Sequence, residues 1–456
     1  MMKQTIVIEN KSLYRTLASV ALPIAFQSLI ASSLSLIDNL MVGSLGEIEL
    51  AAVGLSVQIY FIHWMVMFGF TSGSSTFMSQ FWGNQDLFNI RKVTGFAITV
   101  CFTVSFIIFF VPAVFFPETI LRIFTDIDEP IKLGVEYIRT AAICFLAISI
   151  TVPFTAALRA TQQTSIPLKI SILVFTTNTV LNYIFIFGKF GAPELGVKGA
   201  ALATAISRCL ELLIMILVVF VGKNKIAGKL NEFFGWSKIL MFKIVSNAVP
   251  TTLNETMWGI GMATYNAAYG RVGITEFAAI QASSTINNLF VMAIFSLGDA
   301  ILILVGQRLG RGELEYAVAL SKKLLKISVV IGVIAGIALI LSSKFIIQLF
   351  KFTKEGQQFT FLILLIYGLF MALKLFNGIM ITGTLRSGGD TKYAMLAETG
   401  CVWLIGVPLV FFGALYLKLP IYFVVLMSQT EEIAKFITLY RRFVSLKWVK
   451  NVIFDI

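Results

Sequence analysis

The feature that most limits the fold of this chain is the recurrence of apolar runs about as long as a bilayer is thick. Crossing the hydrocarbon core takes roughly 20 mostly apolar residues in helical form. Runs of that length occupy about 17–43, 49–80, 93–115, 133–157, 166–188, 199–222, 244–270, 276–306, 325–350, 358–384, 393–417 and 419–440. Inside hydrocarbon every backbone N–H and C=O must be satisfied by the chain itself, so such runs fold as helices. The expectation is an all-α integral membrane protein with twelve transmembrane helices. Only 13% of the residues are charged and 57% are hydrophobic, far less charge than a soluble chain carries. The gaps between runs leave no room for a soluble domain. The polar stretch 1–14 is too short and too polar to read as a cleaved signal peptide.

Lysine and arginine set the expected orientation, because they accumulate in cytoplasmic segments. They concentrate in the central link (Lys223, Lys225, Lys229, Lys238, Lys243) and after the eighth run (Arg308, Arg311, Lys322, Lys323, Lys326). The link 116–132 is acidic by contrast, with Glu118, Asp126, Asp128 and Glu129. Both termini are therefore expected in the cytoplasm, with the chain in the cell membrane. The net charge of +12 follows from this topology and gives no reason to expect nucleic-acid binding. Cys101, Cys144, Cys209 and Cys401 lie within apolar runs and form no CxxC pair, so they read as buried small hydrophobes rather than disulfides or zinc ligands.

The chain repeats itself at an offset of 227. Pro23/Pro250, Gly43/Gly270, Gly46/Gly273, Ala51/Ala278, Ala52/Ala279, Gln80/Gln307, Gly83/Gly310, Thr155/Thr382, Leu158/Leu385, Arg159/Arg386 and Thr164/Thr391 are identical without a gap. Each repeat holds six runs, an even number, so both halves face the same way across the membrane. The expected organisation is an N-lobe over 1–222, a cytoplasmic linker over 223–243 and a C-lobe over 244–456. Two repeated six-helix lobes are a transporter arrangement, with the substrate path between them. A channel can also be built from repeats. Pro23 and Pro250, inside the first helix of each half, read either as accommodated kinks or as hinges.

Ionisable groups in the spans mark function by default. Asp38 lies five residues before Gly43, Asn182 six before Gly188, and Thr204 five after Gly199; Asn178 is one turn deeper than Asn182 on the same face. At 1.5 Å per residue these groups share a level roughly 7–9 Å inside one boundary. A carboxylate, two amide oxygens and a hydroxyl can hold a hard cation such as sodium, or the carboxylate can carry a proton. The bland alternative is an interhelical hydrogen-bond cluster. Glu255, at mid-span in the seventh helix, can titrate, bind a cationic substrate or form a buried pair. Asp299, Glu398 and Asp390 are weaker candidates, and Asp390, in the turn after Gly388-Gly389, reads better as a helix cap than as a site. Arg208 with Glu211, and Lys435 with Glu431 and Glu432, read as structural ion pairs, and His63 as a packed side chain. The phosphate-loop signature G-x-x-x-x-G-K-[ST] is missing from the sequence, so an ion gradient or a separate subunit is the expected energy source and no enzymatic activity is expected.

At this point the chain resembles the multidrug and toxic compound extrusion (MATE) family, over nearly its whole length. The resemblance is carried by Ala21-Leu22-Pro23, Asp38 with Val42-Gly43-Ser44-Leu45-Gly46, Leu50-Ala51-Ala52-Val53-Gly54 and Leu181-Asn182-Tyr183. It continues in Gly191-Ala192-Pro193-Glu194-Leu195-Gly196, Gly199-Ala200-Ala201-Leu202-Ala203-Thr204, Val305-Gly306-Gln307 and Leu385-Arg386-Ser387-Gly388-Gly389-Asp390-Thr391. It implies two six-helix lobes and export of cationic or amphiphilic drugs by antiport with sodium ions or protons. It also implies a cation site at Asp38, Asn178, Asn182 and Thr204, and acidic residues in helices seven and ten, matched by Glu255 and Asp390. An archaeal branch carries a second aspartate in helix five, where this chain has Asn182, so proton coupling through a carboxylate pair does not carry over. The expected partners are small organic cations and membrane lipid, with the monomer as the working form. A flippase for lipid-linked saccharides is the main rival, but such proteins need cationic cavity groups for phosphate. An ion channel is the second rival.

Overall fold

The computed structural model describes residues 10–348 and 352–454. Residues 1–9, most of the polar N-terminal stretch, and 349–350, the end of the ninth apolar run, lie outside the described residues. Helices cover all twelve runs: α1 (Asn10–Gly43), α2 (Glu47–Gly83), α3 (Leu87–Phe115), α4 (Ile143–Ala160), α5 (Ser165–Phe187), α6 (Gly196–Val221), α7 (Lys238–Tyr269), α8 (Ile274–Gly310), α9 (Leu314–Ile347), α10 (Lys354–Leu385), α11 (Thr391–Tyr416) and α12 (Ile421–Val444). The fourth run, expected as one span over 133–157, is divided at Ala142, and its first part belongs to a separate amphipathic helix, Asp128–Ala141, ahead of α4. Among the described residues nine of these are long and apolar enough to cross a membrane on composition alone; α7, α8 and α12 are not among them. In α7 the cause is Asn247, Asn254 and Glu255, and in α12 it is Glu431, Glu432 and Lys435.

Local signals end the helices where the sequence needs them to. Asp86 accepts from Asn89 N at 2.9 Å and caps α3. Gly188 closes α5 in the left-handed region at φ 62°, and a Cβ there would also run into Glu194. Large apolar side chains such as Leu40, Ile107, Leu213, Ile334 and Leu404 are exposed on the helix surfaces. In water that much bare hydrocarbon is an aggregation hazard; against lipid tails it costs nothing. The chain is a multi-pass membrane protein.

Two compact units make up the chain. The N-terminal unit holds Phe26–Met78 and Gln85–Val245, and the C-terminal unit holds Ser246–Ile456 with Met1–Ala25 and Ser79–Asn84. The N-terminal unit packs Val42, Val53, Ile186 and Ala201 in one cluster and Ile59, Phe109 and Phe145 in another. His63 is wholly buried there, 2.7 Å from Ser105 Oγ and edge-on to Phe109 and Phe145, a packed side chain. Cys101, Cys144 and Cys401 are buried, but Cys209 is exposed on α6, against the expectation that all four are interior. It is small and apolar enough to face lipid.

In the C-terminal unit the end of α2 meets the end of α8 without side chains between them. A Cβ on Gly83 would stand 2.0 Å from Gln307 O, and one on Gly310 2.0 Å from Gln80 O. Gln80/Gln307 and Gly83/Gly310 are repeat equivalents, so the contact is reciprocal. The segment after α12 seals it. Gln80 Nε2 donates to Ser387 O (2.8 Å) and Lys450 O (3.1 Å), and its Oε1 accepts from Val452 N (2.8 Å). Trp448 is fully buried beside this contact.

Candidate functional site

Within the N-terminal unit, α1, α5 and α6 bring the four expected cation-site residues together. α5 and α6 are tightly apposed because Gly199 has no side chain; a Cβ there would lie 2.4 Å from Phe185 O. Asn182 Nδ2 donates to Asp38 Oδ1 at 2.5 Å and to Asn178 Oδ1 at 2.9 Å. Asn178 Nδ2 reaches Thr204 Oγ1 at 3.5 Å, and Thr204 Oγ1 donates to Ala200 O at 3.0 Å. Asn178 and Asn182 are buried, while Asp38 and Thr204 are half-buried. Arg208, whose guanidinium is held by Glu211 at 2.7 Å, is in electrostatic range of Asp38, and buried Tyr137 stands against Thr204.

One atom of this cluster is left over. Asn182 Oδ1 is buried and has no hydrogen-bond partner among the described residues. A buried acceptor without a partner costs about 1–3 kcal/mol. With Asp38, Asn178 and Thr204 it makes a set of hard oxygens suited to an alkali ion and not to a thiolate- or imidazole-binding metal. No group of three or more His, Cys, Asp or Glu side chains placed to hold a metal occurs among the described residues.

Glu255, Asp390 and Asp299, three of the four candidate acids of the second half, do not form one cluster of this kind. Glu255 on α7 is paired with the guanidinium of Arg386, itself only 2% exposed. Asp390 takes both arms of Arg442, at 2.6 and 2.8 Å, and makes no capping hydrogen bond to α11. Asp299 is half-buried on α8, beside Gly298, which packs on Thr382 of α10. Lys435 bridges Glu431 at 3.0 Å and Glu432 at 3.4 Å, as its sequence spacing suggested. Glu431 also accepts from Tyr265 of α7, and Glu432 from Asn377 Nδ2 at 2.8 Å.

Sequence reading did not single out three polar groups that bind the repeats internally. Gln27 Nε2 donates to Ser171 Oγ at 3.1 Å and Gln27 Oε1 accepts from Arg159 Nη2 at 2.6 Å. At the repeat-equivalent positions Asn254 Nδ2 donates to Glu398 Oε2 at 2.6 Å. The sequence carried a signal for these pairs. Gln27 with Ser171, Asp38 with Asn182, Asn247 with Thr391 and Asn254 with Glu398 are each separated by 144 residues, the constant register of two parallel helices.

Fold and site together define a membrane protein of two six-helix repeats with a part-buried carboxylate–amide–hydroxyl cluster in the first. The chain matches the MatE family model over residues 23–184 and 250–412, one block in each repeat, and it belongs to that family. It is 24% identical over 412 residues to "Probable multidrug resistance protein NorM" of Thermotoga maritima, covering 90% of this chain and 88% of the relative. To "Multidrug resistance protein MdtK" of Yersinia pseudotuberculosis it is 25% identical over 409 residues, covering 86% of each chain. Among solved structures, a MATE protein in complex with MaL6 superimposes with a TM-score of 0.86 at 19% identity, over 95% of this chain and 97% of that one. A MATE-family transporter in an outward-facing conformation gives 0.85 at 19% identity, over 95% and 96%.

Proposed function

We propose that this protein exports small cationic or amphiphilic organic molecules across the cell membrane by antiport, with sodium ions or protons as the coupling ion and Asp38 as the coupling carboxylate. The observation that carries the reading is the part-buried Asp38–Asn182–Asn178–Thr204 chain with its unpartnered amide oxygen, in a member of a family of transporters whose relatives here are named for multidrug resistance. An ion drives transport only if it binds one conformation more tightly than another. A site whose ligands sit on three different helices meets that condition, because a small shift of α1 against α5 and α6 takes Asp38 away from the amides. Sodium suits the donor set: one charge from Asp38, neutral oxygens from Asn178, Asn182 and Thr204.

Glu255 enters the same proposal as the carboxylate for which a cationic substrate competes with Arg386. Asp390 and Asp299 are assigned to the second half as supporting acids for substrate or a second cation. Both termini and the 223–243 link face the cytoplasm in this reading, and the protein works as a monomer among membrane lipids. Labelling of a cysteine introduced into the 116–132 link, from outside intact cells, checks the orientation; labelling only after permeabilisation reverses it.

The deciding experiment is drug transport by the purified protein in proteoliposomes under separately imposed sodium and proton gradients. Uphill drug movement is expected under at least one of them and should vanish in Asp38→Asn, while drug binding to the purified variant persists. Uphill export by Asp38→Asn at the wild-type rate would take Asp38 out of the mechanism.

A further inference from the structure

The second repeat contains the carboxylate–amide pair of the first with its roles exchanged. In the N-terminal unit the acid is on α1 and the amide on α5. In the C-terminal unit the amide, Asn254, is on α7 and the acid, Glu398, on α11, and α7 and α11 are the repeat equivalents of α1 and α5. Both pairs close through an amide N–H to a carboxylate oxygen, at 2.5 and 2.6 Å. In both, the same amide's oxygen is left buried without a hydrogen-bond partner among the described residues. Asn254 is only 2% exposed, so bulk solvent does not reach it.

Glu398 has no ion-pair partner at salt-bridge distance among the described residues, unlike the acids around it. Glu255 is matched by Arg386. Lys435 is shared by Glu431 and Glu432, and Glu398 lies in electrostatic range of Lys435, Glu255 and Arg386. Lys374 of α10 lies in electrostatic range of Glu431 and Glu432. Four carboxylates and three basic side chains thus lie in this part of the unit, Arg386, Glu431, Glu432 and Lys435 buried and Glu255, Glu398 and Lys374 half-buried. An uncompensated charge inside a membrane protein costs several kcal/mol, and one monovalent cation removes it. α11 also opens into a π-helical turn at Val402–Gly406, one turn past Glu398. Such turns are frequent at functional sites. Trp403 in that turn donates to Met257 O of α7 at 3.2 Å and holds the two helices together beside the pair.

We propose that Glu398 and Asn254 form a second site, in the C-terminal unit, for a single alkali cation. Without the cation the Asn254 amide donates its N–H to Glu398. With it, the amide turns by half a rotation and presents Oδ1 beside the carboxylate, where two acceptors facing each other require a positive charge between them. The site is distinct from Asp38 and from the Arg386-bound Glu255. It goes beyond the transport reading above and does not depend on it.

Equilibrium binding of radioactive sodium to the purified full-length protein tests this. Wild type is expected to bind two sodium ions per chain, Asp38→Asn one, Glu398→Gln one, and the double variant none. In the Asp38→Asn background, Asn254→Ala keeps the carboxylate and loses the amide oxygen. It should weaken the remaining site about tenfold or more. Wild-type stoichiometry in Glu398→Gln overturns the proposal, as does a wild-type protein that binds one ion lost on Asp38→Asn, or one that takes up protons there and no sodium. If Glu398→Gln does not yield folded protein, the Asn254→Ala comparison decides, and unchanged sodium affinity overturns the site. Retention of both ions in Asp38→Asn would instead overturn the role of Asp38 and leave this site standing.

Discussion

The two repeats hold the same frame with different charge. At one shared position Arg159 grips the neutral amide of Gln27 in the N-terminal unit, and Arg386 grips the carboxylate of Glu255 in the C-terminal unit. At another, Gln27 donates to the hydroxyl of Ser171, and Asn254 donates to the carboxylate of Glu398. The N-terminal unit keeps a carboxylate farther along α1, at Asp38, opposite Tyr265 in the repeat. The backbone register has survived duplication, as the constant 144-residue separation across four pairs shows, while the ionisable groups have moved to different levels of the same helix pair. Hydrogen-bond geometry between parallel helices thus constrains position more tightly than charge.

The largest effect that can break this comparison is at Asp38. Asp38→Asn removes the charge and leaves the shape, and gradient-driven export in proteoliposomes should fall to background. Next comes the arginine pair. Arg386→Gln strands the Glu255 carboxylate and should destabilise the purified protein by about 3–5 kcal/mol, read from thermal or denaturant unfolding in detergent. Arg159→Gln, at the equivalent position, strands only an amide oxygen and should cost about 1–3 kcal/mol. Equal losses at the two positions would show that Glu255 is not charged in the folded state. The smallest effect is expected at Thr204. Thr204→Ala removes one neutral oxygen and should weaken sodium dependence severalfold without abolishing transport, with Asn182→Ala lying between Thr204→Ala and Asp38→Asn. If protons alone couple, both changes shift the pH profile of transport instead.

The Asp38 cluster was legible in the sequence because helix geometry turns spacing into depth. Counting residues from Gly43, Gly188 and Gly199 placed Asp38, Asn182 and Thr204 at one level, and the structure brings them together through α1, α5 and α6. The twelve helices were legible because hydrocarbon leaves the backbone no alternative. Asp390 reads either as a cap or as a site from its local sequence; its partner Arg442 is 52 residues away on α12, and nothing in the Gly-Gly-Asp turn announces it. Glu398 read as a lone acid for the same reason. Its partner was hidden at a separation that has meaning only once a second pair, Asp38 and Asn182, shows the same number.

The reciprocal contact between the ends of α2 and α8 has a practical consequence for anyone attaching a reporter to this protein. The segment after α12 contributes buried Trp448, and the backbone at Lys450 and Val452 that occupies both ends of the Gln80 amide. Asn451 adds a hydrogen bond to Gly310 O at 3.2 Å. A fluorescent protein fused close behind Val452 would pull directly on that seal, and trimming the chain back to Ser445 would open it. A flexible spacer of ten glycine- and serine-rich residues, with a reach of about 17 Å, would let the fusion move without dislodging the residues beneath Gln80.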